Sequence, residues 1–219
     1  MCRNSLQGRS SRGRDRTVNT TARGLNIGAT VVKLGAIDWE SFPGPSSYDA
    51  ARVPRALTAV AQAASRQEAE EAYDCLLFAV GNNHRGTVYP SALGALPILL
   101  RVALDGGVWA KWAALEILQE FSHFDSEAGF ENFPTKDGEI VELASAIDNG
   151  LTQALDLLVP CILDGRQEEI VRVSALKLAG AISVEHPILA AGLQDMPERS
   201  EHGAFDAERR NYLITRGLR

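Results

Sequence analysis

One short piece of text occurs twice in this chain and limits how it can fold. Leu104-Asp105-Gly106 and Leu163-Asp164-Gly165 each close an apolar, helix-periodic run, and each is followed by a second such run. The second runs align as Lys111-Trp112-Ala113-Ala114-Leu115 and Arg172-Val173-Ser174-Ala175-Leu176, with Cys75-Leu76 in the same place further upstream. Pro54, Pro97 and Pro160 mark the first helix of each pair; the first spacing is 43 residues and the second 63, the excess being an insert. A period of roughly 40–47 residues belongs to two-helix units that cannot bury their apolar faces alone and must stack. In the second helices a small residue precedes a leucine. The small one admits a neighbouring helix and the leucine fills the groove.

The apolar periodicity supplies the elements. Helices are expected over 48–64, 67–80, 90–104, 108–121 and 168–182. The run 139–163 reads as helical with an interruption near Asn149-Gly150, and after a short apolar turn at Ile188, Leu189 and Leu193 a last helix spans 205–216. A proline inside a helix kinks it without ending it, so Pro97 and Pro160 are compatible with this reading. No stretch of alternating β-branched residues bounded by hairpin turns occurs, and strands are not expected. The class is therefore all-α, with one folded domain over 34–219.

The formal charge of −6 conceals a split. Residues 1–33 carry seven bases against Asp15 alone, with hardly any apolar periodicity. Such a segment cannot bury enough surface to offset chain entropy and reads as disordered. A non-native extension, an organelle-targeting segment and a nucleic-acid-binding arm all fit its composition. The remaining residues hold 15 bases and 27 acids. A body that acidic lacks the basic footprint that phosphates need and suits a basic protein partner. Cys2, Cys75 and Cys161 are widely spaced, and the latter two lie in apolar runs, as buried free thiols of a reducing compartment do. No uninterrupted apolar run of about 18 residues indicates a membrane span.

Between the second and third helices lies the chemically richest stretch, Asn82-Asn83-His84-Arg85-Gly86-Thr87-Val88-Tyr89-Pro90. Gly81 suits a left-handed C′ residue after the upstream helix, and Thr87 an N-cap with Pro90 in the next first turn. His84, Arg85 and Tyr89 exceed what a turn requires and form a candidate recognition spot. A purely structural role, satisfying helix ends and packing the tyrosine ring, also accounts for them. The only nucleophile nearby is Ser91, so His84 has little to act on as a general base, and no catalytic residue is assigned.

The insert at 122–138 departs from the repeat. Phe124, Phe130 and Phe133 alternate with Asp125, Glu127, Glu131 and Asp137. Loops on a rigid scaffold are where recognition tends to reside, which makes Glu127, Phe130, Glu131, Phe133 and Asp137 candidate contacts. The alternative is that the phenylalanines fold back as a cover. Trp109 and Trp112, three apart on one helix, supply a further candidate anchor in Trp109. His123 and Asp125 make only two ligands for a metal, glycine-rich phosphate loops are absent, and neither metal nor cofactor is expected.

Ile37-Asp38-Trp39, Val53-Pro54-Arg55-Ala56-Leu57, His84-Arg85-Gly86-Thr87-Val88-Tyr89 and Leu96-Pro97-Ile98-Leu99 follow one another in a familiar order. In this the chain resembles the HEAT-like helical-repeat proteins of bacteria, and among them a group with an I-D-W segment and an H-x-G-T-x-Y loop. The resemblance covers residues 34–122 well and the C-terminal third only as a generic repeat. Arg85 stands where the group often has glutamine. The resemblance implies a HEAT/armadillo-like α-solenoid of about three helix pairs. It also implies a cytoplasmic immunity protein that neutralises a toxin by stoichiometric binding. The competing functions are a HEAT-like DNA glycosylase, which needs a cationic groove, and a general scaffold.

Overall fold

The computed structural model describes residues 37–135, 137–182, 186–197 and 203–218; the expected basic segment at 1–33 lies outside them. Eight α-helices dominate the described residues: α1 (Arg52–Gln62), α2 (Arg66–Val80), α3 (Ser91–Asp105), α4 (Val108–Phe121), α5 (Leu143–Leu163), α6 (Glu169–Ala181), α7 (Pro187–Asp195) and α8 (Ala204–Thr215). The all-α class holds. Successive helices pack in two rows, α1, α3, α5 and α7 in one, and α2, α4, α6 and α8 in the other. Each helix also touches its partner in the opposite row. The stretch expected to be only an apolar turn is helix α7, so a fourth pair follows the three expected.

Local chemistry sets the helix starts. Ser65 caps α2, its hydroxyl accepting the Glu68 N–H at 3.3 Å, while the Glu68 carboxylate reaches back to the Ala64 N–H at 2.8 Å. This is the reciprocal logic of a capping box shifted by one residue. The Glu142 carboxylate caps α5 by accepting the N–H groups of Ala144 and Ser145 at 3.2 and 2.8 Å. Before α1 the chain forms a 3-10 turn at Trp39–Ser41, and α1 itself starts at Arg52, four residues later than expected.

One row is assembled through glycines. A Cβ on Gly94 of α3 would lie 2.9 Å from the Phe42 ring and 3.0 Å from that of Trp39. On Gly150 of α5 it would lie 3.2 Å from Leu96, and on Gly192 of α7 2.6 Å from Leu163. In each case a large side chain of the preceding element occupies the space that a Cβ would take. This corrects the reading of Asn149-Gly150 as an interruption: α5 runs unbroken because Leu96 packing offsets the intrinsic helix cost of glycine. Unbroken, α5 is long and apolar enough, by length and composition, to cross a membrane. Its Leu143, Ile147, Leu151, Leu155, Leu158 and Ile162 are buried against the other helices, while Asp148 and Asp156 face outward, the pattern of a core helix.

Two small sheets contradict the expectation of no strands. β1 (Gly81–Asn82) pairs antiparallel with β2 (Thr87–Val88), which pairs in parallel with β3 (Asp125–Ser126). Separately, β4 (Asn132–Pro134) and β5 (Ile140–Glu142) form a hairpin. These ladders are two or three residues long, too short for alternation to register in a sequence. Of the two thiols expected to be buried, Cys161 is free and buried, its pKa raised by desolvation, and Cys75 is half-buried; Cys2 lies outside the described residues.

Candidate functional site

The turn after α2 is a β-hairpin, not a direct junction between helices. Gly81 is extended (φ −172°, ψ −166°), which any residue adopts, so left-handed geometry does not explain it. Close approach does: a Cβ there would lie 2.2 Å from the Thr87 carbonyl oxygen of the paired strand. Gly81→Ala is therefore expected to cost about 1–3 kcal/mol by overpacking against backbone. Loss of amide protection at Tyr89, whose N–H donates to the Val80 carbonyl beside Gly81, is the local readout in hydrogen exchange. The left-handed residue is instead Gly86 (φ 64°), where the hairpin turns back into β2. Thr87 is not an N-cap; α3 begins at Ser91, with Pro90 ahead of it.

The insert joins this hairpin. The N–H of Asp125 donates to the Gly86 carbonyl and that of Glu127 to the Val88 carbonyl, both at 3.0 Å. The Phe124 ring lies over Gly86, 3.7 Å from where a Cβ would stand. The Thr87 hydroxyl donates to Glu127 Oε2. Arg85 Nη1 stands 3.6 Å from Glu127 Oε1; the glutamate side chain is 15% exposed and the arginine 71%. Two segments some 40 residues apart in sequence thus form one edge.

Tyr89 lies beneath that edge, buried, with its N–H donating to the Val80 carbonyl at 2.7 Å. Its ring meets that of Tyr48 edge-on at 5.9 Å. Burial pushes the Tyr89 phenol above its ordinary pKa, a hydrogen bond with Ser47 opposes this, the Glu127 charge adds to the rise and Arg85 lowers it. Tyr89 is thus a buried support of the edge and does not reach a partner. His84 is exposed and its ring packs edge-on against Phe78 at 5.0 Å. Phe78 was not among the expected contacts, although it is 44% exposed. The signal was present in its spacing. It follows Glu71 and Asp74 at i+7 and i+4, which places it on the outward face of α2.

The remaining candidates divide. Glu131 is exposed on the insert, and its own backbone N–H and that of Gly129 hold its carboxyl below the usual carboxylate range. Phe130 is half-buried, and its N–H closes a turn onto the Glu127 carbonyl at 2.9 Å. Asp137 is exposed at the tip of the β4–β5 hairpin. Phe133 is no anchor: it is 6% exposed, part of the core beneath β4 and β5, because the hairpin folds its ring inward. Trp109 is half-buried and pairs edge-on with Trp112 at 6.2 Å. It starts α4, whose far end carries the insert, and at the rise of an α-helix it stands about 20 Å from that edge. There it lines a shallow cavity of about 570 Å³ with Ala61–Ala64, Gly107 and Val108.

Along the outer side of α4 two further carboxylates are held by neighbouring helices. Glu120 accepts the Tyr73 hydroxyl at 2.9 Å and Glu116 the Ser174 hydroxyl at 2.5 Å. Burial first, and then the bond to Glu120, push the Tyr73 phenol far above its ordinary pKa. Among the described residues no three metal-ligating side chains converge. No family model, no curated protein and no solved structure matches the chain.

Proposed function

We propose that this chain is a protein-binding helical-repeat module, a HEAT-like α-solenoid, whose hairpin–insert edge captures a basic protein. The observation that carries the reading is the meeting of Arg85, Thr87 and Glu127 on that edge, flanked by exposed His84, Phe78 and Glu131. Two rows of successively packed helices support the solenoid reading, since that arrangement is what stacked two-helix units generate. Charge supports the partner class, because 27 acids against 15 bases beyond residue 33 attract a cationic surface. The same balance argues against a nucleic-acid enzyme. Within this reading the role is that of a stoichiometric inhibitor, an immunity protein that blocks a basic toxin. A cytoplasmic site of action goes with that role.

The test is kinetic and uses the product of the neighbouring open reading frame, which the reading expects to be a basic protein. Surface plasmon resonance should give a one-to-one complex whose association slows as salt rises. The double variant Glu131→Gln/Asp137→Asn should slow association about two- to fivefold at low salt and leave dissociation unchanged, because both carboxylates are exposed and act through the long-range field. An association rate indifferent to salt and to both substitutions would sink the reading.

A further inference from the structure

Glu127 is unusual among the carboxylates of the edge in being mostly buried while its counter-charge is not. One oxygen, Oε2, is committed to the Thr87 hydroxyl. The other, Oε1, faces only a loosely made contact: 3.6 Å to Arg85 Nη1 exceeds the roughly 2.7–2.9 Å of a charge-assisted hydrogen bond. Arg85 is 71% exposed and sits in the hairpin turn, one residue before the left-handed Gly86. Its long side chain retains rotamer freedom that a tight ion pair would remove. The glutamate keeps 15% of its side-chain surface exposed, and Oε1 is not among the enclosed polar atoms that lack a partner, so this oxygen stays open to water and to a further donor.

We propose that Glu127 Oε1 is the receptor for a guanidinium or ammonium group of the basic partner, and that Arg85 stands in for that group in the free protein. On binding, the partner's cation takes the place of Arg85, which swings into solvent at little cost because exposed ion pairs contribute little. Arg85 is thus a built-in competitor that sets the affinity threshold of the edge. Thr87 and the Glu127 N–H bond to Val88 keep the carboxylate in place throughout. This inference rests on the reading of the edge as a site for a basic partner, and it adds the position of the contact and the sign of the Arg85 effect.

The sign separates the two ideas. If Arg85 contacted the partner, its truncation would weaken binding; as a stand-in, its truncation tightens binding. A fluorescently labelled hexa-arginine peptide titrated at low salt is the probe, read by anisotropy, with circular dichroism to establish that each variant folds. Arg85→Ala should bind about two- to fivefold more tightly than the unaltered protein. Glu127→Gln, which keeps an oxygen for Thr87, should weaken binding about tenfold or more. Arg85→Ala placed in the Glu127→Gln background should then have no effect. Arg101→Ala removes another exposed, ion-paired arginine, on α3, and controls for the general loss of positive charge.

Tightening in Arg85→Ala that vanishes with Glu127→Gln supports the proposal. Weakening or no change in Arg85→Ala overturns it while the cationic-partner reading stands. Tightening of the same size in Arg101→Ala, or undiminished in the double variant, also overturns it, since the effect would then be one of net charge. If the peptide binds no variant at all, both the stand-in and the reading beneath it fail.

Discussion

Replacing Leu115 by alanine is expected to remove about 2–5 kcal/mol of unfolding free energy, and Leu176→Ala a similar amount. Both side chains are fully buried. Leu115 lies on α4, which packs against α1, α2, α3 and α6, so a cavity there is walled on several sides and has little room to collapse. Leu176 is the equivalent residue of α6, between α4, α5 and α8. Ala113, Ala114 and Ala175 hold the backbones close around each leucine, which further limits relaxation. Urea denaturation should lower the midpoint with the slope unchanged. A loss near zero in both variants would mean that neither leucine fills an inter-helix groove.

Phe133→Ala is expected to destabilise the protein, by up to about 3–5 kcal/mol, and not to act at a partner interface. The ring is buried under the β4–β5 hairpin, opposite Val141 in the ladder, and β5 leads directly into the Glu142 cap of α5. Losing the ring frees the hairpin and loosens the cap that starts the longest helix. Thermal unfolding monitored by circular dichroism should therefore shift downward, and the amides of Ile140 to Glu142 should exchange faster. Phe130, half-buried on the other side of Glu131, is the phenylalanine whose truncation is expected, under the proposed function, to speed partner dissociation. An unchanged melting temperature in Phe133→Ala, with faster partner dissociation, would return Phe133 to the interface.

The helices were legible because their information is local. Leu57, Val60, Leu76, Ala79, Val80, Leu115 and Leu176 lie where period and spacing put them, buried on the inward faces. Gly150 was misread for the same reason that it was noticed. Local propensity makes glycine a helix breaker, whereas the group that compensates, the Leu96 side chain, comes from another helix. Gly81 repeats the lesson at the site: its glycine answers to a carbonyl six residues on and not to its own dihedral angles.

The candidate site divides along the same line. His84, Arg85, Glu127, Phe130 and Glu131 could be singled out as a chemically rich loop and an acidic, aromatic insert, because composition against a regular repeat is visible without coordinates. That the two are one edge could not be read, since it depends on a parallel pairing of two-residue strands, Thr87 with Asp125 and Val88 with Ser126. No periodicity betrays a ladder that short. Nor could burial be assigned within the insert, where Phe130 and Phe133 are alike in sequence, yet Phe130 sits half-buried in a turn closed onto Glu127 while Phe133 lies in β4 with its ring in the core.

The all-α class, the succession of apolar helices and the acidic balance beyond residue 33 could be read without coordinates. Each of these follows from short-range spacing or from counting. Packing across the chain decided that the hairpin and the insert share an edge with Tyr89 buried beneath it, and that Phe133 is buried under the separate β4–β5 hairpin. It also left the Glu127 side chain 15% exposed beside an Arg85 that is 71% exposed. Those outcomes depend on which groups meet across long sequence separations. Packing settles that by excluding water from some side chains and leaving their neighbours in it.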